Sequence, residues 1–182
     1  MPVTYPHVEE TAKTQLRSML STYFKDGGTH DISGTTENFY KAQIEFHISK
    51  VNENKLQSPM IVIAGSRSEN EDFKVNDPKQ MKVFGGTERQ QMCTRTVYIS
   101  IPKTMPLQDP PYTSTKVRKS EMRDADRLWA QLLLVCMGLR YEWGQLGVYH
   151  MNLESSSVQV NDPDFWIVSG NMEFQLRYEF TK

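Results

Sequence analysis

Residues 170–180 read GNMEFQLRYEF, and in this stretch Met172, Phe174, Leu176, Tyr178 and Phe180 alternate with Glu173, Gln175, Arg177 and Glu179. An extended chain with that period puts five large apolar side chains on one face and charge on the other, so a half-buried strand is predicted. Such a strand needs a sheet with one dry face. Residues 148–160 precede it, separated from 166–181 by Asn161, Asp162, Pro163 and Asp164, a turn cluster that predicts an antiparallel hairpin.

Working outward, the same period recurs twice. Tyr40, Ala42, Ile44, Phe46 and Ile48 alternate with Lys41, Gln43, Glu45, His47 and Ser49. Within residues 91–101 the run CTRTVYISI sets Val97, Ile99 and Ile101 against Thr96, Tyr98 and Ser100, and Pro102 ends it. Short apolar runs at 60–64 and 81–84 predict two brief strands, separated by an exposed excursion over 65–79. Loops of that length tend to bind something or to order on binding.

Two helices flank these strands. Between 6 and 24, Val8, Ala12, Leu16, Met19, Leu20 and Tyr23 recur at threes and fours, Pro6 suits a first turn, and Gly27 and Gly28 stop the run. Thr113, Ser114 or Thr115 is expected to cap the second helix, whose stripe is Met122, Ala125, Trp129, Leu132, Cys136 and Leu139. Arg118, Lys119, Glu121, Arg123, Asp124 and Arg127 crowd its first half; LWAQLLLVCMGL is apolar nearly all round and must be buried, in its own sheet or against a neighbour. Between the long strand and this helix, Pro102, Pro106, Pro110 and Pro111 predict an extended connector. The order α-β-β-β-β-α-β-β is that of an α+β domain, an antiparallel sheet with two main helices packed on one face.

The 182 residues are about one domain's worth of chain, with long loops expected at 49–90 and 102–114. Twenty-one Lys and Arg against 22 Asp and Glu leave a formal charge of −1, which removes the simplest electrostatic reason for clamping a nucleic-acid backbone. No run approaches 18 apolar residues, so no membrane association is expected. Cys93 and Cys136 have no Cys or His at ligand spacing, which argues against zinc and for a free buried thiol at Cys136 in a reducing compartment.

A search for reactive chemistry finds no GxxxxGK[ST], GxGxxG, GxSxG or HExxH. His7, His30, His47 and His150 are scattered, and each reads as a surface or packing residue before a base or ligand. Glu69, Glu71 and Asp72 lack calcium-loop spacing, so a solvated loop is the plainer reading. The basic cluster Lys116, Arg118, Lys119, Arg123 and Arg127 is interleaved with Glu121, Asp124 and Asp126, as in a helix face held by local ion pairs. Trp129 belongs to the core stripe, while Trp143 and Trp166 flank turns at sheet ends or interfaces. No catalytic residue, cofactor or metal site is expected.

The succession ADRLWAQLLLVCMGL, YEWGQLGV, HMNLESSSVQV, NDPDF and GNMEFQLRYEF resembles the tail terminator, or tail-completion, proteins of long-tailed bacteriophages. The upstream helix and strands fit that family's order; the longer 49–90 stretch and the proline-rich connector depart from its smaller members. The resemblance implies a structural, non-enzymatic protein of the virion tail or neck, assembled in the host cytoplasm. It implies a homohexameric ring that caps the head-proximal end of the tail tube, ends its polymerisation and joins it to the head connector protein. The partners implied are further copies of the chain, the tail tube protein and the connector, with DNA passing through the ring without sequence-specific contact. A closed ring needs head-to-tail interfaces, for which sheet edges and the apolar helix end are candidate surfaces.

Two segments are expected to order on docking: Arg67, Glu71, Asp72 and Lys74 are candidates in the first, and Met105, Leu107 and Tyr112 in the second. Simple surface loops explain the same residues equally well. Rival readings are a neck adaptor or tube subunit and, from a different class, a small-molecule-binding α+β domain with an apolar pocket. Arg95, on the side of Val97 and Ile99, would favour the last reading if it lay in a cleft beside a carboxylate.

Overall fold

Along the chain the elements run β1 (Val3–Thr4), α1 (Val8–Phe24), β2 (Gly28–Ile32), β3 (Thr35–Phe39), β4 (Gln43–Glu45), β5 (Met60–Ala64), β6 (Met81–Phe84) and β7 (Glu88–Pro102). They continue with β8 (Pro106–Gln108), β9 (Val117–Lys119), α2 (Met122–Gly138), β10 (Val148–Leu153), β11 (Val158–Val160) and β12 (Phe165–Glu179). The computed structural model describes residues 3–4, 8–46, 58–64, 81–84, 88–138 and 148–179. The expected excursion over 65–79 lies outside the described residues, as do His7, His47 and Trp143.

The fold is α+β, with a mostly antiparallel sheet and both helices on one face. Its spine is the pair β7 and β12, antiparallel over fifteen residues each, from Phe165 opposite Pro102 to Glu179 opposite Glu88. β5 pairs antiparallel with one end of β7 and β6 with the other, and β4 extends β5 in parallel. On the far side of β12 sit β11, β10 and a parallel β1.

Alternation decides the faces. Val97, Ile99, Ile101, Val168, Met172, Ile61 and Ile63 point to the helices and join Leu16, Leu20 and Phe24 of α1 and Leu128, Trp129, Leu132 and Val135 of α2 in one core. Burying a large apolar side chain contributes about 1.5–3 kcal/mol, so this face dominates stability. The opposite face carries a smaller cluster of Met60, Val62 and Ala64 with Tyr98 against it.

Several expectations shift in detail. Burial alternates through Tyr40, Ala42, Ile44 and Phe46 as the sequence predicts, yet β4 pairs over only three residues. The donors before it are taken elsewhere: Tyr40 N–H by Gln131 Oε1, Lys41 N–H by the Tyr112 hydroxyl, and Ala42 N–H by Phe24 C=O. The β2–β3 hairpin is absent from the sequence reading. Its two-residue loop holds Ser33 at φ 49° and Gly34 at φ 79°, the conformation that matches strand twist. Gly27, at φ 63°, ends the α1 segment where a Cβ would come within 2.7 Å of Phe39 O.

The proline-rich connector is a small antiparallel ladder, β8 with β9, instead of an extended spacer. Arg118 and Lys119 therefore precede α2, and the expected cap at 113–115 is corrected. The Asp124 carboxylate reaches back to Glu121 N–H at 2.7 Å, which serves the helix start instead. The expected hairpin of 148–160 with 166–181 is interrupted on its first side, where Glu154 N–H bonds Asn171 C=O between β10 and β11. At its turn, Asp162 Oδ1 accepts from both Asp164 N–H and Phe165 N–H at 2.9 Å.

Candidate functional site

Tyr40 lies just beyond β3, where the connector and the first turn of α2 converge, and it is fully buried. Its hydroxyl is 3.1 Å from Asp124 Oδ1 and 3.2 Å from Asp109 Oδ1, and it donates toward both. Arg118 clamps the same two carboxylates. Its Nη1 is 2.9 Å from Asp124 Oδ2, and its Nε and Nη2 lie 3.0 and 2.8 Å from the Asp109 oxygens. Arg127 stacks over the Tyr40 ring at 5.5 Å and pairs with Glu37, and Gln131 bridges Glu37 Oε1, Asn38 C=O and Tyr40 N–H.

The electrostatics follow from this geometry. Burial and then the Asp124 charge push the Tyr40 phenol well above its ordinary value, so it keeps its proton. Arg118 holds Asp109 below the usual carboxylate range. For Asp124, burial pulls upward, but the hydrogen bonds from Arg118 and Glu121 N–H prevail and its pKa is lowered. A protonated phenol and two anchored carboxylates make a tie between elements, with neither an activated nucleophile nor an unoccupied base. The sequence lists Arg118 and Asp124 within a local helix face; their partnership with Tyr40, 84 positions from Asp124, has no local signal.

A second feature is a cleft of about 480 Å³ where the end of α1 meets β4, lined by Lys25, Lys41, Gln43, Glu45 and Ser58 among others. Glu45 is offset by Arg17 at 3.6 Å, whereas neither lysine is ion-paired with a described carboxylate. Lys41 Nζ rests 4.7 Å over the Tyr112 ring. The Ser58 hydroxyl is buried without a hydrogen-bond partner. A smaller hollow of about 180 Å³ runs between Glu37 and α2 residues Arg127, Ala130, Gln131 and Leu134.

A third feature is the open margin of the sheet at β11, which pairs with β12 on one side and with no other strand among the described residues. Val158 is 67% and Val160 36% exposed. Both lie on the helix-free face: Val160 stands opposite Ile167 and Val158 opposite Ser169, in register with Ser100 and Tyr98 of β7.

Of the candidates read from sequence, Arg67, Glu71, Asp72 and Lys74 lie outside the described residues. Leu107 is buried in the chain's own core and Met105 packs against it. Tyr112 is half-buried, its hydroxyl accepting from Lys41 N–H at 2.7 Å and donating to Phe39 C=O at 3.2 Å. The structure thus ties Leu107, Met105 and Tyr112 of the connector into the chain's own packing. Arg95 is buried on the inner face, 3% exposed, and lines neither cleft. Cys136 is a buried free thiol with its pKa pushed up to about 12 by burial alone. Among the described residues no helix is long and apolar enough to cross a membrane, and no cluster of three or more His, Cys, Asp or Glu is placed to hold a metal ion. Neither a protein-family model nor a curated protein matches the chain.

Proposed function

We propose that the chain is a structural assembly protein of a bacteriophage virion, a tail terminator whose copies close into a ring on the head-proximal end of the tail tube. The ring ends tube polymerisation and presents its other side to the head connector. The number six and the identity of the partners come from the resemblance of residues 125–180 to that family, described above. The observation that carries an assembly role is the β11 margin. An edge strand that pairs on one side alone among the described residues and carries two outward valines is a liability in a protein that stays alone, and is a ready interface in one that assembles. The Tyr40 network is consistent with such a role, since its ionisable groups are spent on holding elements together.

Purified protein examined by negative-stain microscopy and by light scattering across a dilution series tests the reading. Discrete rings support it. Filaments point instead to a tube subunit, and a monomer at every concentration removes the assembly role altogether.

A further inference from the structure

The two margins of the sheet carry opposite charge at the same level. One cross-strand row runs Val160, Ile167, Ser100, Met60, Gln43 through β11, β12, β7, β5 and β4. Beyond Val160, at one end of that row, the chain turns through Asn161, Asp162, Pro163 and Asp164. Beyond Gln43, at the other end, β4 is preceded by Lys41 and Ala42, and β5 by Ser58 and Pro59. The strand directions put both groups at the same end of the sheet, since Phe165 pairs with Pro102 there.

The turn side is acidic. Asp164 is exposed and Asp162 adds a second carboxylate in the turn, against Lys103, whose Nζ lies 2.6 Å from Asp162 C=O and 4.5 Å over the Trp166 ring. The cleft side is basic, with Lys25 and Lys41 in no ion pair with a described carboxylate and Glu45 already offset by Arg17; Asp26, next to Lys25, is outside the cleft lining.

We infer that the occupant of the Lys25/Lys41 cleft is the Asn161–Asp164 turn of a second copy of this chain, so that copies join head to tail across opposite margins of the sheet. This deepens the assembly reading above and rests on it. A junction between two different patches is heterologous, so repeating it gives a closed ring or an open filament and never a simple two-fold dimer. The charge match fixes orientation and speeds association, since opposed potentials steer docking and like charges resist it. The exposed Val158 and Val160 lie beside the docked turn and lose water with it.

The test uses full-length chain with two charge reversals, Lys25→Glu with Lys41→Glu in the cleft and Asp164→Lys in the turn, checked for wild-type circular dichroism. Asp162 is left intact because it holds the turn. Each variant alone is expected to lose ring formation and to weaken association by about tenfold or more. Equimolar mixing of the two should restore association, because the native turn of each meets the native cleft of the other and the reversed turn meets the reversed cleft. Combining all three substitutions in one chain should recover association. Folded variants that assemble as wild type overturn the inference while leaving the ring intact. So does unchanged assembly together with binding of inorganic phosphate that Lys25→Glu abolishes, which would assign the cleft to a small anion. A wild-type chain that never associates overturns this inference and the assembly reading together.

Discussion

The Tyr40 hydroxyl places one proton between two carboxylates that Arg118 already holds, and the pairing of Asp124, 1% exposed, is the least forgiving contact of the group. Hydrogen bonds to charged groups contribute about 1.5–3 kcal/mol, so Tyr40→Phe should lower the free energy of urea unfolding by about that much. The loss should carry a pH signature. Asp109 and Asp124 have folded-state pKa values depressed below their ordinary ones, Asp109 through Arg118 and Asp124 through Arg118 and Glu121 N–H against the pull of burial. A depressed carboxylate contributes stability that is present above the unfolded pKa of about 3.9 and is lost as pH falls through the folded value. Unfolding free energy should therefore decline below about pH 5, and Asp124→Asn, less stable at neutral pH, should show a shallower decline. Equal acid slopes for the two proteins would mean that the network is not ionised as the geometry requires.

Among the elements, the β8–β9 ladder decides how the connector is used. Leu107 of β8 is buried with the core, and Tyr112 latches the connector to Phe39 and Lys41, so the segment is part of the domain's own packing. Truncation of a buried leucine costs about 2–5 kcal/mol, and Leu107→Ala should show that loss in dilute solution where no partner is present. Unchanged stability would return Leu107 to the role of an outward docking side chain. The long strands and both helices were legible because their periods are regular: Val97, Ile99 and Ile101 alternate as read and face the core, and Met172 joins them there. The β2–β3 hairpin was not, because Thr29, His30, Asp31, Thr35, Thr36, Glu37 and Asn38 give no dry face; only the Ser33–Gly34 pair, a turn dipeptide, signals it. The small ladder of the connector escaped notice because prolines argue against strands, yet Pro106 occupies the first position of β8, where a missing donor costs least. The candidate site was hidden for a different reason. Lys25, Lys41 and Ser58 meet only through the pairing of β4 with β5, and Tyr40 meets Asp109 and Asp124 only after the connector folds back; neither is a pattern in local sequence.

At the scale of the molecule, unfolding should register whether copies bind one another. A species that associates only when folded is stabilised by mass action, so each tenfold rise in protein concentration adds up to about 1.4 kcal/mol per junction to the folded side. For a chain of this length that corresponds to a rise of about 3–5 °C in the unfolding midpoint. The increment separates the two kinds of contact present at the margins. Ionic attraction between the acidic turn and the lysine cleft is screened, the Debye length falling from about 10 Å at 0.1 M to about 3 Å at 1 M salt, whereas burial of Val158 and Val160 is not weakened that way. Thermal unfolding followed at three concentrations in low and high salt should therefore show a concentration dependence at 0.1 M that shrinks without vanishing at 1 M. A midpoint indifferent to concentration in low salt would leave β11 as an edge that the folded chain tolerates by itself, and the margins would need another explanation.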